Sequence, residues 1–331
     1  MKKILNTAER FVDDSLQGIV LAHGDQLMFA DNERAVVRKD AKSRRKVAIV
    51  TGGGYGHLPV FLGYVGKGLC DGVAVGNVFT SPSSEAIVSA AKATESGEGV
   101  LFLFGNYMGD TMNFEMAAEL LDFDGIRSTI VKGSDDVASA AKEEWESRRG
   151  VAGIFFPYKL AGACAERGAD LDAVTEIALK ACRNVATLGF AMSSCQLPGT
   201  EKPIFEIGED DMELGMGIHG EPGIERTTMM FSEELAKTIF VRLSSDLGLT
   251  PGERVAVLVN GLGGTSREEL YVLYKDLYKE LEDHDIAVQK VYVGEYATSL
   301  EMQGASVSLL RLDEELKELL AEPACSPFIR E

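Results

Sequence analysis

Short runs of β-branched and apolar residues alternate with longer amphipathic stretches along most of the chain. The pattern predicts strands at Lys46–Thr51, Gly72–Val78, Val100–Phe104, Arg127–Val131 and Gly150–Phe156. Further strands are predicted at Thr187–Ser194, Glu213–His219, Arg254–Asn260, Val288–Val293 and Ala305–Leu312. Helices fall between many of them. Ser81-Pro82 reads as an N-cap followed by proline at the first helical position, opening a helix to Thr94. Ser134, followed by Asp135 and Asp136, opens another to Arg148. Asp170 caps Leu171–Val185, and Ser232 caps Glu233–Ser245. Between Ser266 and Glu282, Leu270, Leu273, Leu277 and Leu281 recur at three- and four-residue spacing, one face of a helix. Alternation of this kind predicts an α/β protein whose mixed or parallel sheets are flanked by helices. A helix end near Asn184 and the polar stretch Pro198–Asp211 predict two α/β domains, 1–184 and 185–331.

Composition narrows the partners. The 331 residues carry 33 Lys and Arg against 52 Asp and Glu, a formal net charge of -19. Phosphate binding needs a basic face, so nucleic acid is not the expected partner. An anionic membrane surface is disfavoured for the same reason. No run approaches the roughly 18 apolar residues of a membrane span. The opening MKKILNTAERFVDD lacks the apolar core and small-residue cleavage site of a signal peptide, so a cytoplasmic protein is expected. The five cysteines are widely spaced with no C-x-x-C pair, which predicts free thiols rather than a zinc site. Imidazole chemistry must use His23, His57, His219 or His284.

Three segments crowd glycine and polar residues at predicted strand ends, where open α/β sheets bind ligands. The first is Thr51-Gly52-Gly53-Gly54-Tyr55-Gly56-His57-Leu58-Pro59. It suits close backbone approach to a ligand. His57 stands where G-x-G-x-x-G needs its third glycine, and no P-loop is present, so nucleotide signatures are absent. A structural role for His57 and a catalytic one are evenly matched. The second is Gly105-Asn106-Tyr107-Met108-Gly109-Asp110, leading into a helix with Phe114, Ala117, Ala118 and Leu121. Asp110 reads either as a helix cap or as a carboxylate able to take a proton. The third is Gly215-Met216-Gly217-Ile218-His219-Gly220-Glu221-Pro222-Gly223. His219 there is either a turn residue or a nucleophile, since a neutral imidazole nitrogen forms covalent intermediates. No paired histidine spacing supports a metal, and G-x-S-x-G is missing.

Together these stretches resemble the substrate-binding subunits of the dihydroxyacetone kinases. The resemblance rests on Gly52–Pro59, Val65–Gly68, Phe79–Pro82, Asn106–Glu115 and Gly217–Arg226. It extends to Lys159–Ala163, Val259–Gly263 and Tyr296–Met302, and so runs nearly the whole chain in order. It implies that His219 adds to a ketone carbon and holds a short ketose as a covalent hemiaminal. Asp110 then accepts the proton of the hydroxyl being phosphorylated, and His57 hydrogen-bonds and orients the ketose. Gly54, Tyr55, Gly56, Gly105 and Asn106 are implied substrate neighbours. The resemblance further implies a homodimer with no metal or nucleotide of its own. ADP or ATP with Mg²⁺ sits on a separate all-helical subunit, for which 331 residues leave no room. A phosphotransferase-system protein is one possible phosphoryl donor in that family.

The chain departs from the family pattern at four positions. Leu58 replaces a glutamate, Tyr55 a small residue, Gly105 a lysine and Asn77 an acid. These changes open two alternatives: a kinase subunit for another short ketose such as a tetrulose, and a non-catalytic ketose sensor. Asp110 separates them, because a sensor needs His219 but no general base.

Overall fold

A computed structural model describes residues 2–331. The chain forms two compact units, each discontinuous in sequence. The first takes the chain up to Gly133 together with Pro157–Lys180 and Glu318–Glu331; the second holds Ser134–Phe156 and Ala181–Lys317. A single cut after residue 184 therefore does not describe the division. Residues 134–156 pack with the later sheet, and the C-terminal residues return to the earlier one.

In the first unit, six strands follow one another: β1 (Leu27–Phe29), β2 (Ala35–Arg38), β3 (Ala48–Tyr55), β4 (Gly72–Val78), β5 (Val100–Gly105) and β6 (Ser128–Gly133). The sheet order is β1-β2-β4-β3-β5-β6. Strands β4, β3, β5 and β6 run parallel, while β1 and β2 add an antiparallel edge. Helix α1 (Phe11–Ala22) precedes β1. Helices α2 (Ser84–Thr94) and α3 (Met108–Phe123) bury Ala86, Ile87, Ala90, Phe114, Ala117 and Leu121 against one sheet face. Such cover explains why β3 and β5 are buried along their whole lengths. Helices α4 (Phe155–Glu166) and α5 (Leu171–Arg183) contain two of the four points where the chain changes unit. The Tyr158 hydroxyl of α4 meets Thr51 Oγ1 of β3 at 2.7 Å. The C-terminal residues clip the loop after β3. Cys325 N donates to the Lys67 carbonyl at 2.9 Å and Ser326 Oγ to the Gly63 carbonyl at 2.6 Å. Fully buried Lys159 donates to the carbonyl of Glu322.

The second unit has β7 (Val185–Ala191), β8 (Asp211–Leu214), β9 (Glu225–Thr228), β10 (Arg254–Gly261), β11 (Ala287–Gly294) and β12 (Gly304–Leu312). Their order is β11-β10-β12-β7-β8-β9, with only β10 and β11 parallel. Helices α6 (Ser232–Leu247) and α7 (Arg267–Asp283) lay Leu235, Ile239, Leu243, Leu270, Leu277 and Leu281 on the sheet. Ser266 and Glu269 close a capping box at the start of α7. A short α8 (Glu314–Leu320) follows β12. The two flanked sheets are those the alternating pattern predicts.

Several local predictions fail for identifiable reasons. Gly150–Phe156 is not a strand. It forms a 3-10 turn at Ala152–Ile154 and then enters α4, whose first turn accommodates Pro157. Ser134–Arg148 is not the predicted α-helix: only Lys142–Ser147 coils, as a 3-10 helix, and the acids before it turn inward. Asp135 accepts from the backbone N–H groups of Val151 and Gly153 at 2.9 and 2.8 Å. Asp136 receives Arg149 at 2.8 Å. The cap of α2 is Ser83, whose Oγ accepts from Ala86 N, leaving Ser81 and Pro82 in the approach loop. Phe231, not Ser232, holds the N-cap position of α6. Strand β8 ends at Leu214, so His219 lies in a loop rather than at a strand end.

Candidate active site

In the first unit the chain leaves β3 for β4 on one side, and β5 lies on the other. Strand order reverses there, and the carboxyl ends of β3, β4 and β5 frame the crevice where such sheets bind ligands. Each strand end delivers one of the predicted segments: His57 after β3, Phe79–Pro82 after β4, and Asn106–Asp110 after β5.

Gly52, Gly53 and Gly54 lie within β3. A side chain on Gly53 would strike the Phe61 ring at 2.1 Å, and one on Gly54 would meet Thr80 N at 2.6 Å and Phe79 Cα at 2.8 Å. Here the close approach is between two parts of the chain itself. The Tyr55 side chain is buried on the other side, edge-on to Phe11 with centroids 6.0 Å apart, and its hydroxyl meets Ser15 of α1. Gly56 carries the positive φ of 106° that releases the chain from the strand.

His57 is fully buried. Its ring stacks on Phe79, 4.7 Å between centroids and 13° between planes, with Phe61 edge-on at 6.4 Å. Phe79 holds φ 56°, a left-handed conformation costing about 1–2 kcal/mol for a residue with a side chain. Its N–H donates to the Tyr55 carbonyl at 3.0 Å, which helps to hold it there. The same segment reaches the third strand end. A side chain on Gly109 would lie 2.7 Å from Ser81 Oγ, and Asn113 Nδ2 donates to the Pro82 carbonyl at 2.8 Å. Phe79–Pro82 thus links the histidine loop to the helix of Asp110.

Asp110 is not a cap. Tyr107 occupies the N-cap position of α3, and Asp110 stands in the first turn, 7% exposed, where the helix dipole favours negative charge. Gly105 is buried at the end of β5 opposite Gly133, and Asn106 N donates to the Gly133 carbonyl at 2.9 Å.

In the second unit, residues 215–224 make a tight excursion between β8 and β9. Gly217 N donates to the Glu221 carbonyl and Gly220 N to the Gly217 carbonyl, at 3.1 and 3.0 Å. The turn folds the Glu221 carboxylate back onto His219. One oxygen lies 2.9 Å from His219 Nδ1 and the other accepts the His219 backbone N–H at 2.9 Å. A side chain on Gly217 would overlap that carboxylate. Arg149 Nη1 lies 3.9 Å from Glu221, while its Nε donates to Asp136 and its Nη2 to the Gly215 carbonyl. Burial alone would raise the Glu221 pKa, but the His219 hydrogen bond and charge outweigh it and hold Glu221 down at about 2. For Asp136 burial wins over Arg149, pushing it up to about 6. In the neutral imidazole, ionised Glu221 favours the proton on Nδ1 and the lone pair on Nε2.

The predicted residues thus fall into two sets. Gly54, Tyr55, Gly56, His57, Gly105, Asn106 and Asp110 belong to the first unit, and His219 to the second. The sequence reading gave no role to Arg149 and Asp136, nor to Glu221 and Phe79, although it singled out the stretches that hold the last two. Glu221 follows His219 by two residues, a visible signal; Arg149 and Asp136 carry none. Of the remaining histidines, His23 packs beside Phe328 and His284 bonds the Glu280 carbonyl at the end of α7. Among the described residues no group of three or more His, Cys, Asp or Glu could hold a metal, and no helix is long and apolar enough to cross a membrane.

Comparison with known proteins supplies the family. The Dak1 domain model matches residues 17–328. A PTS-dependent dihydroxyacetone kinase 2, dihydroxyacetone-binding subunit DhaK, of Listeria innocua is 45% identical over 100% of this chain and 99% of its own. An L-erythrulose kinase of Pectobacterium atrosepticum is 42% identical over 100% of this chain, but over only 56% of its own length. The crystal structure of the dihydroxyacetone kinase of C. freundii superposes with a TM-score of 0.90 at 31% identity, covering 98% of this chain and 59% of that one. A dihydroxyacetone kinase operon co-activator, DhaQ, superposes with a TM-score of 0.89 at 30% identity, covering 94% and 96%. The chain therefore belongs to the Dak1 family, the family of the dihydroxyacetone kinase substrate-binding subunits.

Proposed function

We propose that this chain is the ketose-binding subunit of a dihydroxyacetone-type kinase and holds its substrate covalently on His219. The observation that carries the reading is the contact of His219 Nδ1 with the Glu221 carboxylate, which in the neutral imidazole favours the proton on Nδ1 and the lone pair on Nε2. The Nε2 lone pair attacks the ketone carbon, the carbonyl π pair moves to oxygen, that oxygen takes a proton from water, and the Nδ1 proton is released to water to leave the neutral hemiaminal. Charge developing on the imidazole is met by Glu221. The hemiaminal selects carbonyl compounds over polyols and removes the entropy of a small mobile ligand, a gain of up to several kcal/mol. Asp110 accepts the proton of the hydroxyl that attacks the phosphoryl group, and His57 orients the ketose. The phosphoryl group comes from ADP or ATP with Mg²⁺ on a helical partner subunit, recharged in one version by a phosphotransferase-system protein. Such transfer depends chiefly on alignment and charge stabilisation. Activity without the partner is not expected, and the working form is a cytoplasmic homodimer.

A tetrulose is the second substrate reading, favoured by the likeness to an L-erythrulose kinase across the whole of this chain. A regulatory role is favoured by the likeness to the DhaQ co-activator. Intact mass after treatment with dihydroxyacetone or erythrulose tests the covalent step. The wild-type chain should gain the mass of one ketose, and His219→Ala should gain none. An adduct on the variant would sink the assignment. With a nucleotide-binding partner present, Asp110→Asn should keep the adduct and lose on the order of 10²–10⁴-fold in turnover. Wild-type turnover at the Asp110→Asn level would point to the sensor.

A further inference from the structure

Helix α3 presents two opposed faces. Asp110, Phe114, Ala117 and Leu121 are buried, while Met108, Met112, Met116, Leu120 and Phe123 are between 41% and 87% exposed. The exposed set recurs every four residues and closes with Phe123, a continuous stripe about 22 Å long at 1.5 Å per residue. Contiguous apolar surface of this kind marks an interaction site, and flexible methionines suit a protein partner. Glu115, Glu119 and Asp122 are exposed along one edge of the stripe. Pairing α3 antiparallel with α3 of a second copy would set those three acids beside their counterparts, and like charges at an interface are costly. The stripe begins at Met108, two residues before Asp110. A protein lying along it therefore reaches the helix end that carries the carboxylate.

We propose that the exposed face of α3 is the docking surface for the nucleotide-carrying subunit, whose contact face is apolar with Lys or Arg along the edge that meets Glu115, Glu119 and Asp122. The proposal rests on the kinase reading above, and its test separates the two. The probe is the nucleotide-binding subunit of a Listeria innocua PTS-dependent dihydroxyacetone kinase, loaded with ADP and Mg²⁺ and titrated into the full chain. Met112→Asp/Met116→Asp should weaken its binding on the order of tenfold to a hundredfold while leaving the ketose adduct on His219 intact. Glu115→Lys/Glu119→Lys should also weaken binding, with the loss shrinking as salt is raised. Phe231→Asp, at an exposed aromatic of the second unit, should change nothing. Wild-type affinity in the methionine variant would overturn the proposal, as would no binding by the wild-type chain. Dissociation of a homodimer by Met112→Asp/Met116→Asp, read by sedimentation, would overturn it in favour of a second copy. Loss of the ketose adduct in the wild-type chain would instead strike the kinase reading.

Discussion

Glu221 and His219 are two residues apart, and a tight turn converts that separation into two hydrogen bonds from one carboxylate. A charge-assisted hydrogen bond is worth about 1.5–3 kcal/mol. Glu221→Gln should therefore reduce the hemiaminal equilibrium about 10- to 100-fold, measured by adduct yield against ketose concentration, with the fold intact by circular dichroism. Because the Glu221 pKa is depressed, its stabilising contribution is present above the ordinary carboxylate range and is lost only as pH falls through about 2. Any fall in adduct yield between pH 8 and pH 5 should thus survive in Glu221→Gln. Asp136 has the opposite sign. Its raised pKa gives a contribution complete below the unfolded value near 4 and lost as pH rises through about 6. Relative to Asp136→Asn, the wild type should gain about 1 kcal/mol between pH 7 and pH 5, read from paired denaturant titrations. The glycine-rich turn that carries His219 was legible, although the residues alone read His219 equally as a turn residue or a nucleophile. Arg149 and Asp136 were not, because they come from a segment whose polar pattern mimics a capped helix.

At the scale of elements, the approach loop Phe79–Pro82 does the joining work in the first unit. It supplies the ring under His57 and the neighbours of Gly109 and Asn113. Gly54 admits it, so Gly54→Ala should push the loop off β3. The expected cost is about 1–3 kcal/mol of stability, with a reduced adduct yield, measured by thermal melting and intact mass. Unchanged melting would mean that the loop yields freely. The strands themselves were readable, since apolar runs bounded by glycines leave few choices. The fully buried β3 and β5 read as continuous apolar or glycine runs, as parallel strands under helices should. The edge strands β1 and β9 and the neighbouring β2 were missed: they are three or four residues long, too short for a period to show.

For the whole molecule, the pattern of strands and helices announced two sheets but not the thread that ties each unit together. Contacts such as Cys325 with Lys67 and Ser326 with Gly63 join residues far apart in sequence, and nothing local records them. Removing Glu318–Glu331 takes the Glu322 carbonyl from buried Lys159. Disrupting a buried charged group costs about 3–5 kcal/mol, so this truncation should unfold the first unit selectively. Hydrogen exchange is expected to show β3–β6 unprotected while β10 and β12 keep their amides. Wild-type protection in β3–β6 would show the clip to be dispensable.

The same return of the C-terminus has a consequence during synthesis. Domains generally fold in the order in which they leave the ribosome. Here the second unit has its last residue, Lys317, before the first unit receives Glu318–Glu331. The sheet translated first is completed last. At about 5–20 residues per second, β3 and β5 wait some tens of seconds with their clip missing, and nascent-chain chaperones have that interval in which to shield them.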